Sequence, residues 1–82
     1  MYSVYVLQSK TDDSYYIGSS KDRKRRLWEH NYGRTGYTKN KRPWKLIYFE
    51  EYESRGEALK REKYLKSLKS RKYIQELINK GP

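Results

Sequence analysis

The segment Tyr2 to Gln8 is crowded with β-branched and aromatic residues and predicts a strand. Ser9 to Ser14 is polar with two Asp and predicts a hairpin loop, and Tyr15 to Gly18 predicts the returning strand. Side chains alternate along a strand, so Tyr5 shares a face with Ser3 and Leu7, and Tyr16 with Gly18. A hairpin register can therefore bring Tyr5 and Tyr16 to one side of the sheet. Ser19 and Asp22 have capping-box spacing ahead of a run of helix formers, which predicts a helix from about Ser20 to Asn31. Asn31 to Arg42 carries two Gly among many polar residues and reads as a loop. A third strand is predicted over Trp44 to Tyr52, with Pro43 at its mouth where a missing N–H is tolerated. Ser54 and Glu57 repeat the capping-box spacing before a helix that runs to about Leu68. Ser70 caps a last helix ending before Gly81, and its Tyr73, Ile74, Leu77 and Ile78 form an apolar stripe. The order β-β-α-β-α-α predicts an α+β domain, a mainly antiparallel three-stranded sheet flanked by helices.

Composition tests that picture. Hydrophobic residues are 34% of the chain and mean hydropathy is −1.31, values that lean toward disorder. Ten tyrosines and 16% aromatics argue the other way, because tyrosine buries its ring while its hydroxyl finds a partner. We therefore expect a core of tyrosines and aliphatics, in one domain of 82 residues. The net charge of +10, from 20 Lys and Arg against 10 Asp and Glu, attracts polyanions, of which nucleic acid is the commonest. A solubility charge or a ribosome-associated surface is the plainer reading. No strongly amphipathic helix with large apolar residues points to a membrane surface, and no apolar run approaches a membrane span. The chain has no cysteine, which excludes disulfides and thiolate metal sites. Its start, MYSVYVLQS, lacks a basic region followed by a long apolar stretch, so no signal peptide is expected and the default location is the cytoplasm.

Three features resist a purely structural reading. Arg26 and the single histidine, His30, are four apart and project from one helix face. A lone His is more often a surface or packing residue, and Arg26 sits in the basic run Arg23 to Arg26. Glu62 falls on the apolar stripe of Ala58, Leu59, Leu65 and Leu68, where a carboxylate is costly unless it pairs or binds a cation. Periodicity supports two readings equally: a hard oxygen ligand for Mg²⁺ or Mn²⁺, or a stripe-edge residue paired to Lys66 four positions on. The tyrosines of the hairpin, Tyr2, Tyr5, Tyr15 and Tyr16, are by themselves simply good strand residues.

Taken in order, these residues resemble the GIY-YIG nuclease family. Ser3-Val4-Tyr5 is a degenerate first motif and Tyr16-Ile17-Gly18 a full second motif. Gly18 to Asp22 followed by Arg26-Leu27-Trp28-Glu29-His30 has the family's spacing, and Glu62 falls where the family carries its metal-binding Glu. The resemblance covers nearly the whole chain and is nearest to the short bacterial group related to the N-terminal nuclease module of the repair endonuclease subunit UvrC. Ser3 and Val4 depart from the motif at backbone or packing positions, and Asn79 is the only late candidate for the Asn that many members carry.

The resemblance implies hydrolysis of a phosphodiester bond in nucleic acid, with DNA ahead of RNA and repair or processing of branched or damaged DNA as one setting; the sequence itself leaves DNA and RNA both open. Glu62 would hold one Mg²⁺ or Mn²⁺, with water as most of the other ligands. Arg26 would clamp the phosphate with its planar fork. Tyr5 is the candidate general base, helped by nearby cations that lower its pKa, with Tyr16 positioning the water or sharing the role. His30 would accept a proton from Tyr16 or contact the phosphate. Lys21, Arg23, Lys24 and Arg25, Lys39, Lys41 and Arg42, and the basic residues from Lys60 to Lys72 would grip the backbone. Tyr32, Tyr37 and Trp44 would stack on unpaired bases or pack over the sheet edge. No separate DNA-binding domain is recognised, so target choice would lie in the module or in a protein partner. No interface signal indicates an oligomeric state. The competing readings are a non-catalytic nucleic-acid-binding or ribosome-associated module, which has no need of Glu62, and a protein-interaction adaptor.

Overall fold

The computed structural model describes residues 1–33, 36 and 38–81. It has three strands, β1 (Tyr2–Ser9), β2 (Tyr15–Ser20) and β3 (Trp44–Tyr52), and three helices, α1 (Arg23–Asn31), α2 (Arg55–Leu68) and α3 (Arg71–Lys80). The sheet is antiparallel throughout, in the order β2-β1-β3. The expected element order and architecture are both present.

β1 is the central strand, and helices cover both faces of the sheet. That is why Ser3 to Leu7 is buried without a break instead of alternating. Val4 and Val6 face α2 and α3 and pack with Tyr48, Ala58, Leu65 and Ile74. Tyr5 and Leu7 face α1 and pack with Trp44, Leu27, Leu46 and Phe49. Full burial of a side chain such as Leu65 contributes about 2 kcal/mol.

Register decides what can meet. Tyr5 pairs with Gly18 and Leu7 with Tyr16 on one side, and Tyr5 pairs with Phe49 on the other. Tyr5 and Tyr16 thus share the α1 face, as alternation predicts. A register shift between Val6 and Leu7 leaves Ile47 as an extra residue in β3.

The start of α1 differs from the expectation. The helix begins at Arg23, and Asp22 is the N-cap, its carboxylate accepting from the Arg25 N–H at 3.1 Å. Ser19 is no cap, because β2 continues to Ser20 and Ser19 pairs with Val4 in the ladder. Ser54 and Ser70 cap α2 and α3 as expected, accepting from the N–H groups of Glu57 and Tyr73. In the predicted loop, Lys39–Lys41 forms a 3-10 turn. Asn31 fixes this segment to β3 by bonding both the N–H and the carbonyl of Trp44. Among the described residues, no helix is long and apolar enough to cross a membrane.

Candidate active site

Four of the expected site residues gather on the α1 side of the sheet. Tyr5 is buried, and its ring lies flat across Gly18. A Cβ at position 18 would stand 2.6 Å from the Tyr5 hydroxyl oxygen and 2.7 Å from Cζ, so the phenol fits only over a glycine. This gives the glycine of the second motif a physical task, which is to let the tyrosine of the first reach across the ladder.

Arg26, one turn into α1, brings its guanidinium beside the Tyr5 phenol. Glu29 aims it, accepting from Arg26 Nη1 at 2.7 Å. His30 follows on the same helix face. It is fully buried, with Nδ1 2.7 Å from the Thr38 hydroxyl and its ring 4.7 Å from that of Tyr16. Burial, then the Arg26 cation, push the imidazole below its ordinary pKa, with Glu29 opposing. The ring therefore stays neutral at neutral pH. Its burial removes the expected phosphate contact and leaves the role of neighbour to Tyr16.

The Tyr5 pKa runs against the expectation that cations lower it. Burial raises it more than Arg26 lowers it, and Tyr16 and Glu62 add to the rise. In this state Tyr5 is a neutral phenol at neutral pH.

Glu62 comes from the other side of the sheet, on the α2 stripe between Ala58 and Leu65, and meets the site at the edge strand β2. Ser19 of β2 donates to Oε1 at 2.5 Å, and Lys66 donates to Oε2 at 2.7 Å. The expected pairing to Lys66 is therefore present. It leaves the other reading open, because Lys66 is a half-exposed, flexible partner. Lys66 also lies 5.8 Å from the Tyr16 ring centroid and joins the carboxylate to the tyrosine pair. Among the described residues, no three His, Cys, Asp or Glu side chains could together cage a metal. A single hard carboxylate suits an ion that keeps most of its water, as Mg²⁺ does. Tyr16 and Lys66 continue into an open groove of about 650 Å³ with Lys69 and Arg71 on its rim.

The expected nucleic-acid contacts divide. Lys21, Lys24, Lys39 and Arg42 are exposed, and the Arg25 side chain is 75% exposed with a loose 3.4 Å contact to Glu29. Arg23 is a correction. Its guanidinium lies 3.6 Å over the Phe49 ring and reaches Ser3 and Glu51, so it holds α1 to the sheet. Lys41 pairs with Asp12 at 3.5 Å, and Arg61 of α2 is locked onto Glu50. Trp44 is also a correction, being buried with its indole N–H on the Thr38 carbonyl, so it cannot stack on a base. Tyr37 lies outside the described residues. Tyr32 is 66% exposed and stacks on Trp28, 47% exposed, with ring centroids 4.5 Å apart. Asn79 lines a separate groove with Gln8 and Ile47.

Sequence reasoning missed four supporting residues. Thr38 and Ser19 reach their partners across folded chain, with no spacing to reveal them. Trp28 with Tyr32, and Arg26 with Glu29, follow helical spacing and were legible in principle.

The chain is similar to known proteins over most of its length. Residues 1–75 match the model of the GIY-YIG catalytic domain family. A UPF0213 protein of Listeria welshimeri is 46% identical over 77 residues, covering 93% of this chain and 84% of its own. A UPF0213 protein of Staphylococcus saprophyticus is 39% identical over 79 residues, covering 95% and 94%. The solution NMR structure of a UPF0213 protein from Bacillus halodurans is 35% identical with a TM-score of 0.60, over 99% of this chain and 87% of that one.

Proposed function

Because the chain belongs to the GIY-YIG family, we propose that it is a metal-dependent endonuclease that hydrolyses phosphodiester bonds, in DNA rather than RNA. The observation that carries this reading is the convergence of Tyr5, Tyr16, Arg26 and His30 around Gly18, with Glu62 at the adjoining strand edge.

Arg26, held in place by Glu29, binds a non-bridging phosphate oxygen and neutralises charge that grows in the transition state. Glu62 would hold a divalent ion once Lys66 moves aside, and such an ion would supply electrostatic stabilisation for a leaving 3′ oxygen. Tyr5 and Tyr16 position the attacking water. Tyr5 accepts its proton in the ionised form, which becomes more populated as pH rises. His30 is the neutral partner that keeps the Tyr16 ring in place. Lys21, Lys24, Arg25, Lys39 and Arg42 supply salt-sensitive affinity, and Trp28 with Tyr32 offers a surface on which a base can stack. The setting we infer is repair or processing of branched DNA in the cytoplasm, by one nuclease domain whose target choice lies in the module or in a partner.

A second reading, a non-catalytic binding module, is favoured by one observation. Both Glu62 oxygens are engaged within the protein, by Ser19 and by Lys66. Purified protein on labelled single-stranded, duplex, flapped and branched DNA, and on RNA, with Mg²⁺, Mn²⁺ or EDTA, separates the two. The nuclease reading expects cutting that needs metal and is lost in Glu62→Ala and in Arg26→Ala while binding persists. Binding without cutting on every substrate selects the module. Cutting that survives both substitutions places the site elsewhere.

A further inference from the structure

Lys66 has more contacts than a solubilising surface lysine needs. Its ammonium is 2.7 Å from Glu62 Oε2 and 5.8 Å from the Tyr16 ring centroid, at the rim of the groove that leads away from the site. The other carboxylate oxygen accepts from Ser19. Glu62 is only 17% exposed in its side chain and lies near enough to Tyr5 to oppose its ionisation. An uncompensated charge in that place is costly, so a cation must accompany it.

We propose that Lys66 is that cation in the metal-free protein: a tethered counter-ion that occupies the metal's place on Glu62 and gives it up when a divalent ion arrives. The inference rests on the nuclease reading of Glu62. Three properties make Lys66 suited to the task. Its side chain is 50% exposed, so it leaves into water instead of being stranded in the core. An exposed i,i+4 pair is weakly held. Lysine presents one point charge on a flexible stem, where arginine would grip both oxygens. Arg61, on the same helix, does grip both oxygens of Glu50. Once released, the ammonium remains beside Tyr16 and the basic groove, where a phosphate backbone can take it up.

The test measures Mn²⁺ binding to the full chain without substrate, by calorimetry and by the electron paramagnetic resonance of free Mn²⁺. Lys66→Met should bind Mn²⁺ roughly twofold to fivefold more tightly than the wild type, the worth of one weak ion pair. Lys66→Arg should bind it more weakly, and Glu62→Ala should not bind it at this site. Lys66→Gln repeats the measurement if methionine disturbs folding. Unchanged or weaker affinity without the ammonium overturns the proposal. So does a failure of both wild type and Lys66→Met to bind, since removing the ammonium would then have opened nothing. The nuclease reading fails by a different result, cleavage that persists in Glu62→Ala.

Discussion

Two clusters of the same residue types sit on opposite sides of one sheet. On the α2 side, Tyr48, Tyr52 and Arg61 close around Glu50. On the α1 side, Tyr5, Tyr16 and Arg26 gather, and their carboxylate, Glu62, stands beyond the edge strand. The two glutamates are almost equally buried, with side chains 14% and 17% exposed. They differ in their partners. Glu50 receives both prongs of an arginine, at 2.9 and 3.1 Å, and two phenols. Glu62 receives one hydroxyl and one lysine that can leave. In the first cluster every donor ends on the carboxylate, so it serves as a clamp between β3 and α2. In the second the arginine is aimed elsewhere, by Glu29, and the carboxylate remains available to a cation.

The sharpest separation comes from removing each carboxylate in turn. Glu62→Ala should slow cleavage by roughly a thousandfold, because charge stabilisation at the leaving group goes with it. It should leave folding stability within about 1 kcal/mol of wild type, since the lost pair is weak. Glu50→Ala should do the reverse. It strands Arg61 and should cost about 3 kcal/mol in denaturant titrations, with cleavage intact in the folded fraction. Equal damage to both properties by either variant would break the distinction between clamp and site.

The tyrosines extend the contrast to alkaline pH. Burial, then the Glu50 hydrogen bonds, push Tyr52 up to about 12 and raise Tyr48 as well, so these phenols stay neutral and structural. Tyr5 is raised chiefly by burial and has to ionise to accept a proton. Its ionised fraction then grows about tenfold per pH unit through the neutral range. Single-turnover cleavage should climb with that slope from about pH 7 to 9, and Tyr5→Phe should flatten it. A level profile in the wild type would remove Tyr5 from the base role.

Gly18 tests the open cluster without touching a charge. An added methyl group would meet the Tyr5 hydroxyl oxygen at 2.6 Å and ring carbons at 2.7 and 3.1 Å. Gly18→Ala should therefore cost about 2 kcal/mol by overpacking and slow cleavage even in the folded fraction, because Tyr5 has to move. Among the described residues, no glycine lies against Tyr48 or Tyr52 in this way, so the closed cluster has no equivalent weak point.

Much of this was legible in the sequence. The strands and helices follow apolar periodicity, and Glu62 stood out as a carboxylate on an apolar stripe. Its pairing to Lys66 follows from helical spacing. Ser19 was misread as a cap because a serine three residues before an acid looks the same in a strand end as at a helix start. Its real partner, Glu62, is 43 residues away. The Glu50 clamp escaped notice although Tyr48, Glu50 and Tyr52 alternate on one strand face, because alternation gives a face and not a partner. Arg61 looked like one more phosphate contact in a basic helix until the fold set it against Glu50. Trp44 looked available beside a basic loop and is buried by the return of that loop.

Acid provides the mildest probe. Burial alone would raise the Glu50 pKa, but the hydrogen bonds from Arg61, Tyr48 and Tyr52 outweigh it and hold it below the usual carboxylate range. A carboxyl depressed in the folded state contributes stability above its unfolded pKa of about 4.3 and loses it as pH falls through the lower folded value. Wild-type stability should therefore decline on acidification from about pH 5 downward. Glu50→Gln should start lower at neutral pH and show a shallower acid decline, because the amide does not titrate. His30 contributes earlier in the same direction. Its folded pKa is depressed, so the unfolded chain takes up the proton first and stability begins to fall below about pH 6.5. A His30→Gln variant should remove that upper part of the decline and leave the Glu50 part unchanged. Denaturant midpoints at half-unit pH steps for the three proteins would assign the two limbs. An acid decline that Glu50→Gln leaves untouched would mean that the closed cluster does not favour the charged form of its carboxylate.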